Sequence, residues 1–137
     1  AGLAFAGLNS NAPMLGEIDT DNDGVLTAME VLSLELSGTQ LVVLSACETG
    51  LGEIREGEGV YGLRRSFQEA GVKNVINSFW EVSDAGTQLL MTKFYDKFLT
   101  GMPARQAMRE ARLEMLDDVQ WSAPFYWSAF VMVGRNT

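Results

Sequence analysis

The hydrophobic residues in the middle of the chain follow two different periods, and together they predict a β-α-β unit. Residues 39–46 form a short and almost continuous apolar run, which is typical of a strand buried on both faces of a sheet. Residues 59–70 instead place apolar side chains on one face of a helix, at Val60, Leu63, Phe67 and Ala70. Gly71 suits the C-cap of that helix, and residues 72–79 predict the next strand. Such a unit implies two parallel strands joined by a right-handed crossover.

The second half of the chain predicts two more helices and a final strand. Asp84 is suited to be the N-cap of the first helix, which runs to about Leu99. Pro103 suits the first turn of the second helix, which runs to about Leu116. The predicted inward face of this helix consists of Ala104, Ala107 or Met108, and Ala111. Residues 125–133 are rich in aromatic and β-branched side chains and predict a strand. Elements in this order predict an α/β fold of three layers, with helices on both faces of one sheet.

Composition narrows the class of protein without identifying it. The chain has 137 residues, of which 47% are hydrophobic, and this suffices for one domain with a buried core. No apolar run approaches ~18 residues, so we expect no membrane span. The formal charge is −8, and residues 1–60 carry ten acidic side chains against one basic one, which argues against nucleic acid as a partner. The single cysteine excludes an internal disulfide, as is typical of proteins in the reducing cytoplasm.

That single cysteine, Cys47, directly follows the predicted strand 39–46 and precedes a loop that contains Gly50 and Gly52. Sites in open parallel sheets lie beyond the carboxyl ends of the strands, and Trp80 has the equivalent place after the neighbouring strand. A lone cysteine is more often a small buried apolar residue than a nucleophile. A catalytic cysteine is normally activated by a histidine, and the sequence contains none. The residues alone therefore leave both interpretations of Cys47 open.

Motifs spread along the chain resemble one known family. The main ones are LVVLSACETGLG at 41–52, GEGVYGLRRSF at 57–67, SFWEVSD at 78–84 and PFYWSAFV at 124–131. These segments resemble the CHAT family of caspase-like cysteine peptidase domains, which are often fused to tetratricopeptide repeats. The resemblance covers nearly the whole chain, and it implies a caspase-like three-layer sandwich with a mostly parallel sheet.

In that family the cysteine at the position of Cys47 is the nucleophile, and the catalytic histidine lies in an earlier strand-end motif. By the resemblance, the histidine belongs before Ala1, and the chain starts without a methionine on what looks like mid-domain sequence. We therefore expect residues 1–137 to be the C-terminal part of the domain. An N-terminal segment of the same precursor is then a partner that supplies the histidine, and the isolated chain is expected to be inactive.

The resemblance implies hydrolysis of peptide bonds in a protein or peptide substrate by a cysteine endopeptidase, with no cofactor required for the chemistry. Trp80 and Asp84 fall where caspase-like folds shape the substrate cleft. Each also has a purely structural interpretation, Trp80 as a core or rim aromatic residue and Asp84 as the helix cap. A non-catalytic protein-interaction module that retains the fold is the alternative function.

A second motif lies in the acidic N-terminal part of the chain. Residues 19–30 match the twelve-position calcium loop of EF-hands, with the ligands Asp19, Asp21, Asp23, the Val25 carbonyl and Glu30. The competing interpretation is a capped turn, in which Thr27 is the N-cap of a helix and Glu30 completes a capping box. Pro13 and Gly16 disfavour the helix that should enter a calcium loop. The sequence thus leaves Ca²⁺ as a candidate ligand and a calcium-responsive fragment as a further functional hypothesis.

Overall fold

The computed structural model describes residues 2–4, 25–44, 59–80 and 83–134. In chain order the elements are β1 Gly2–Ala4, β2 Val25–Thr27, α1 Ala28–Leu32, β3 Leu41–Leu44, α2 Gly59–Glu69, β4 Asn74–Ser78, α3 Asp84–Phe98, α4 Ala104–Asp117, α5 Pro124–Trp127 and β5 Phe130–Gly134. Within these ranges, no helix combines the length and the apolar character that crossing a membrane requires.

The predicted β-α-β unit is present as β3, α2 and β4. Strands β3 and β4 are parallel neighbours, with Leu41 opposite Asn74 and Leu44 opposite Asn77. Strand β5 then pairs with the other side of β4 in the antiparallel sense, so the described sheet has the order β3-β4-β5 and is mixed. Strands β1 and β2 form a separate antiparallel pair.

Helices cover both faces of the β3-β4-β5 sheet, which confirms the predicted three-layer α/β fold. Because side chains alternate along a strand, neighbouring residues of β3 and β4 join different clusters. Ile76 belongs to the cluster formed with α3 and α4, where Phe94 is fully buried and stacks on Phe98 at 5.4 Å between ring centroids. Val75 belongs to the cluster formed with α1 and α2, together with Leu63 and other apolar residues.

Helix α4 buries a face made largely of small residues. The buried positions are Ala104, Ala107, Met108, Ala111 and Met115. They recur at the three- and four-residue spacings of one helical face, so the predicted inward side of this helix is confirmed. Small side chains there allow α4 to pack closely on α3, the helix pair that forms this layer.

Gly71 caps the C-terminal end of α2, as the sequence predicts. Gly71 has a φ of +110°, a conformation that side-chain-bearing residues rarely adopt. Its N–H donates to the Gln68 carbonyl at 3.2 Å, and the Val72 N–H donates to the Phe67 carbonyl at 3.1 Å. These two bonds are those of a Schellman motif, which turns the chain from α2 directly into β4.

Asp84 is not the N-cap of α3, contrary to the sequence prediction. Ser83 is the cap, since its Oγ accepts a hydrogen bond of 3.4 Å from the Gly86 N–H. Asp84 is instead the first residue of the helix, where its exposed carboxylate lies near the positive end of the helix dipole. Both residue types make good caps, and the local pattern did not distinguish them.

Residues 125–129 were predicted as part of the last strand, and this prediction is wrong. Pro124 starts the single helical turn α5, since its ring presets φ for the first position of a helix. Tyr126 on this turn packs against the ring of Trp121, with 5.0 Å between ring centroids. This aromatic side chain therefore packs from a helical turn and not from a strand. Only Phe130–Gly134 continues as the strand β5.

Candidate active site

Strands β3 and β4 end at the same edge of the sheet. They are parallel and in register, with Leu44 at the end of β3 opposite Asn77 near the end of β4. The carboxyl ends of parallel strands are where open α/β sheets place their sites. Cys47 comes three residues after Leu44 and lies outside the described residues. Its predicted place therefore depends on the position of β3 and on the sequence that follows it.

Trp80 comes two residues after the end of β4, and the structure leaves it partly open to solvent. It is 38% exposed, and its neighbour Phe79 is 39% exposed. The Phe79 N–H donates to the Ala129 carbonyl at 2.9 Å, which holds this part of the chain against the residue that precedes β5. An anchored backbone with a half-exposed indole can offer an apolar contact to a ligand at this edge.

Asp84 is exposed on the first turn of α3. Within the described ranges, no hydrogen bond or ring contact joins it to Trp80. Trp80 and Asp84 are both exposed to solvent, and a role in substrate binding stays a prediction for each.

Two buried polar residues that the sequence analysis missed lie at the end of β4. Asn77 is fully buried, and within the described residues neither its Nδ2 nor its Oδ1 has a hydrogen-bond partner. Ser78 is 6% exposed, and its Oγ also lacks a hydrogen-bond partner in the part of the chain that the structure describes. Buried polar groups are nearly always hydrogen-bonded, so a buried polar group without a protein partner carries a desolvation cost. The signal in the sequence was an asparagine inside the apolar run of a buried strand.

Asn77 and Ser78 point to opposite faces of the sheet. Asn77 shares its face with Val75, which packs toward α1 and α2. Ser78 shares its face with Ile76, which packs toward α3 and α4. The amide of Asn77 could both donate and accept at the strand end that precedes Trp80, whereas Ser78 offers one hydroxyl. Among the described residues, this edge therefore carries one buried polar side chain on each face that no protein group satisfies.

We expect Asn77→Val to raise the free energy of unfolding by about 1–3 kcal/mol, because the substitution removes a buried amide that forms no hydrogen bond. Equilibrium urea unfolding of the chain measures the change. The matched control is Asn74→Val on the same strand, since the Asn74 Nδ2 donates to the Gln40 carbonyl at 3.1 Å. The Asn74→Val control is expected to lower the free energy of unfolding by about 1 kcal/mol, because it removes this hydrogen bond. A destabilised Asn77→Val would mean that a partner, such as water, satisfies the amide in solution.

The structure confirms the capping box that the sequence offered as the alternative to a calcium loop. Glu30 Oε2 accepts two hydrogen bonds of 2.7 Å, one from the N–H of Thr27 and one from its hydroxyl. In return, Thr27 Oγ1 accepts a hydrogen bond from the Glu30 N–H. Both bonds to Oε2 lower the pKa of Glu30 below its usual range, and the bond from the Thr27 backbone N–H has the larger effect. Bidentate calcium binding needs both oxygens of this carboxylate, so it would compete with the capping box.

The positions of the other proposed calcium ligands neither support nor oppose calcium binding. Asp19, Asp21 and Asp23 lie outside the described residues, and Val25 starts β2, where it pairs with Ala4. In the part of the chain that the structure describes, no three acidic, histidine or cysteine side chains are grouped as metal ligands. Calcium binding stays a prediction.

Comparison with known proteins identifies the relatives of the chain. The family model described as the CHAT domain matches residues 1–135. The human protein named Tetratricopeptide repeat protein 28 is 32% identical over 127 residues, and these cover 93% of this chain but 5% of the relative. The mouse protein of the same name is 31% identical over the same length. The chain thus spans about one twentieth of these relatives, and no solved structure matches it.

Proposed function

Because this chain belongs to the CHAT domain family, we propose that it supplies the nucleophile, Cys47, of a cysteine endopeptidase. The supporting observation is the register of β3 and β4, which ends both strands at one edge of the sheet. Cys47 follows the first of these strands and Trp80 follows the second. A nucleophile after one strand and a half-exposed aromatic residue after its parallel neighbour fit a site that binds and attacks an extended substrate.

The proposed reaction is acyl transfer. The Cys47 thiolate attacks the carbonyl carbon of a peptide bond, and the Cys47 backbone N–H stabilises the oxyanion that forms. A histidine takes the thiol proton and then protonates the leaving amine, which leaves a thioester for water to hydrolyse. Residues 1–137 contain no histidine, so we propose that an N-terminal segment of the same precursor supplies it. This chemistry requires no cofactor.

The proposed substrate is a protein or peptide that lies across this edge of the sheet. Trp80 offers an apolar surface because it is 38% exposed. Asp84 is exposed at the start of α3 and would favour basic or hydrogen-bond-donating groups of the substrate. The absence of an internal disulfide fits the reducing cytoplasm, which we propose as the location of the enzyme.

A non-catalytic interaction module is the second candidate function. One observation favours it: the relatives that the chain matches are named for tetratricopeptide repeats. The sequence upstream of residue 1 separates the two candidates. A His-Gly pair after a predicted strand supports the peptidase, and its absence supports the module. Calcium binding at residues 19–30 would add regulation to either function, because the loop leads through α1 toward the strand that precedes Cys47.

Alkylation of Cys47 tests whether a histidine outside this chain activates it. A thiol of ordinary pKa, about 8.5, is only a few per cent thiolate at pH 7, so iodoacetamide should label the 137-residue chain slowly. Adding the upstream segment is expected to raise the rate at pH 7 about tenfold, as the thiolate fraction increases. Cys47→Ala is the control for label on other residues, and mass spectrometry locates the adduct. Equal rates with and without the upstream segment would argue against activation by an external base.

A further inference from the structure

A groove of about 620 Å³ lies between α4 and β5, far along the chain from Cys47. Three arginines line it, Arg105, Arg109 and Arg112, which follow one another at spacings of four and three residues along one face of α4. Apolar side chains, among them Met108 and Phe130, form its floor. The groove thus combines an apolar surface with three positive charges.

Two hydrogen bonds fix the direction of α4 along the strand. Arg112 Nη2 donates to the Phe130 carbonyl at the start of β5, and Arg105 Nη2 donates to the Gly134 carbonyl at its end, at 3.4 Å. Helix and strand therefore run in opposite directions. The seven helical steps from Arg105 to Arg112 rise about 10.5 Å, and the four steps of the strand from Phe130 to Gly134 span about 13.5 Å. Arg109 falls between the two, alongside the middle of β5.

The outer side of β5 carries backbone groups that can pair with another strand. In the described sheet β5 is an edge strand, because the order is β3-β4-β5. The Phe79 N–H donates to the Ala129 carbonyl, so residues 129, 131 and 133 direct their backbone groups toward β4. The backbone groups of Phe130, Met132 and Gly134 consequently face away from β4. Arginines bond two of those carbonyls, and Met132 lies between them.

The three arginines form no salt bridge within the described ranges. Other basic residues do, since Arg65 pairs with Glu69, and both Lys93 and Lys97 pair with Glu114. Arg112 is partly buried, its Nε has no hydrogen-bond partner among the described residues, and burial lowers its pKa. A desolvated guanidinium without a counter-charge gains strongly from a carboxylate that reaches it. Each guanidinium has five N–H donors, so it can keep its carbonyl bond and still bind a carboxylate.

We propose that this groove binds an extended, acidic segment of a partner protein, which adds to β5 as a further strand. The backbone of the segment pairs with the N–H and C=O of Met132, and its carboxylates bind Arg105, Arg109 and Arg112. Side chains on one face of a strand repeat every ~6.7 Å, and successive arginines are separated by ~6 and ~4.5 Å along α4, which long arginine side chains can span. Acidic residues at alternate positions therefore match the groove. This surface is independent of the catalytic proposal, because none of its residues takes part in the Cys47 chemistry.

A labelled nine-residue peptide of alternating glutamate and threonine tests the proposal by fluorescence anisotropy on the full 137-residue chain. We expect binding that weakens with salt, and about tenfold weaker binding by the matched peptide of glutamine and threonine. Arg109→Gln should weaken binding of the acidic peptide about five- to tenfold. Arg65→Gln is the matched control, since it removes the same charge from α2, and it should leave binding within about twofold. Equal binding by both peptides, or equal effects of both variants, would overturn the proposal.

Hydrogen exchange tests the strand pairing itself. The Met132 amide is expected to exchange more slowly when the acidic peptide is bound, since its N–H then donates to the added strand. A peptide N-methylated at alternate positions has the same charge and should not bind. Its binding as tightly as the parent peptide would overturn strand addition. Slow Met132 exchange that depends on protein concentration, without any peptide, would also overturn the proposal and identify a second copy of this chain as the occupant.

Discussion

Replacing Gly71 with alanine is expected to lower the free energy of unfolding by about 2–5 kcal/mol. Two effects add at this position. The φ of +110° is strained for any residue with a side chain, and the new Cβ would lie 2.8 Å from both Cα and N of Ser37. The obstructing atoms are backbone, and the neighbouring Leu36 N–H is held by the Ala70 carbonyl at 2.9 Å, so the Ser37 segment has little freedom to move away. Urea unfolding of the chain measures the loss.

Gly62→Ala is the matched control for Gly71→Ala. Gly62 lies inside α2, and, apart from the helix's own backbone, a Cβ added there meets no atom of the described residues within 4 Å. Alanine at such a helical position is expected to raise the free energy of unfolding by about 0.5–1 kcal/mol. The same chemical change therefore has opposite signs at two glycines nine residues apart. Equal effects of the two substitutions would contradict the role given to Gly71.

Much of this fold could be predicted from the sequence, because local periods matched the tertiary packing. The run 39–46 and the helical face of 59–70 predicted the parallel β3-α2-β4 unit, and the structure confirms it. The prediction of the last strand was wrong at its start because aromatic residues suit a buried strand and a packed turn equally well. Pro124 was the signal for the helical turn, since proline favours the first position of a helix.

The candidate site was only partly accessible to sequence reasoning. The strand-end rule located Trp80, and the structure places it, half-exposed, after β4. The unsatisfied amide of Asn77 could not be predicted from the sequence. Whether this amide finds a partner depends on the side chains that β3, β5 and the covering helices bring next to it. The three groove arginines share a helical face that the sequence displays, but the hydrogen bonds of Arg105 and Arg112 to β5 join residues 29 and 18 apart in sequence.

Glu30 shows how one motif can serve two physical roles. The acidic residues and the glycine at position six matched a calcium loop, and the same glutamate completes a capping box with Thr27. Four hydrogen-bonding groups within four residues suffice for the box, whereas the calcium loop also needs three aspartates brought together. Local interactions of this kind are the ones that sequence patterns predict best.

Cys47→Ala is expected to abolish peptide-bond cleavage by the protein that includes residues 1–137 and the upstream segment. Removing a catalytic nucleophile lowers kcat by about 10⁴–10⁶, which leaves only the background rate. The fold should be unaffected, since alanine retains the Cβ and removes only the sulfur. Unchanged urea unfolding of the variant verifies this point.

Cleavage of an unstructured, fluorescently labelled protein by that longer protein, with Cys47 and with Cys47→Ala, is the decisive measurement. The wild-type protein should release labelled peptides at neutral pH, and the variant should match the buffer blank. The 137-residue chain without the upstream segment should also match the blank, because it contains no histidine. Cleavage that persists in Cys47→Ala, or a wild-type protein that leaves the substrate intact although its upstream segment carries the histidine, would contradict Cys47 as the nucleophile of a peptidase.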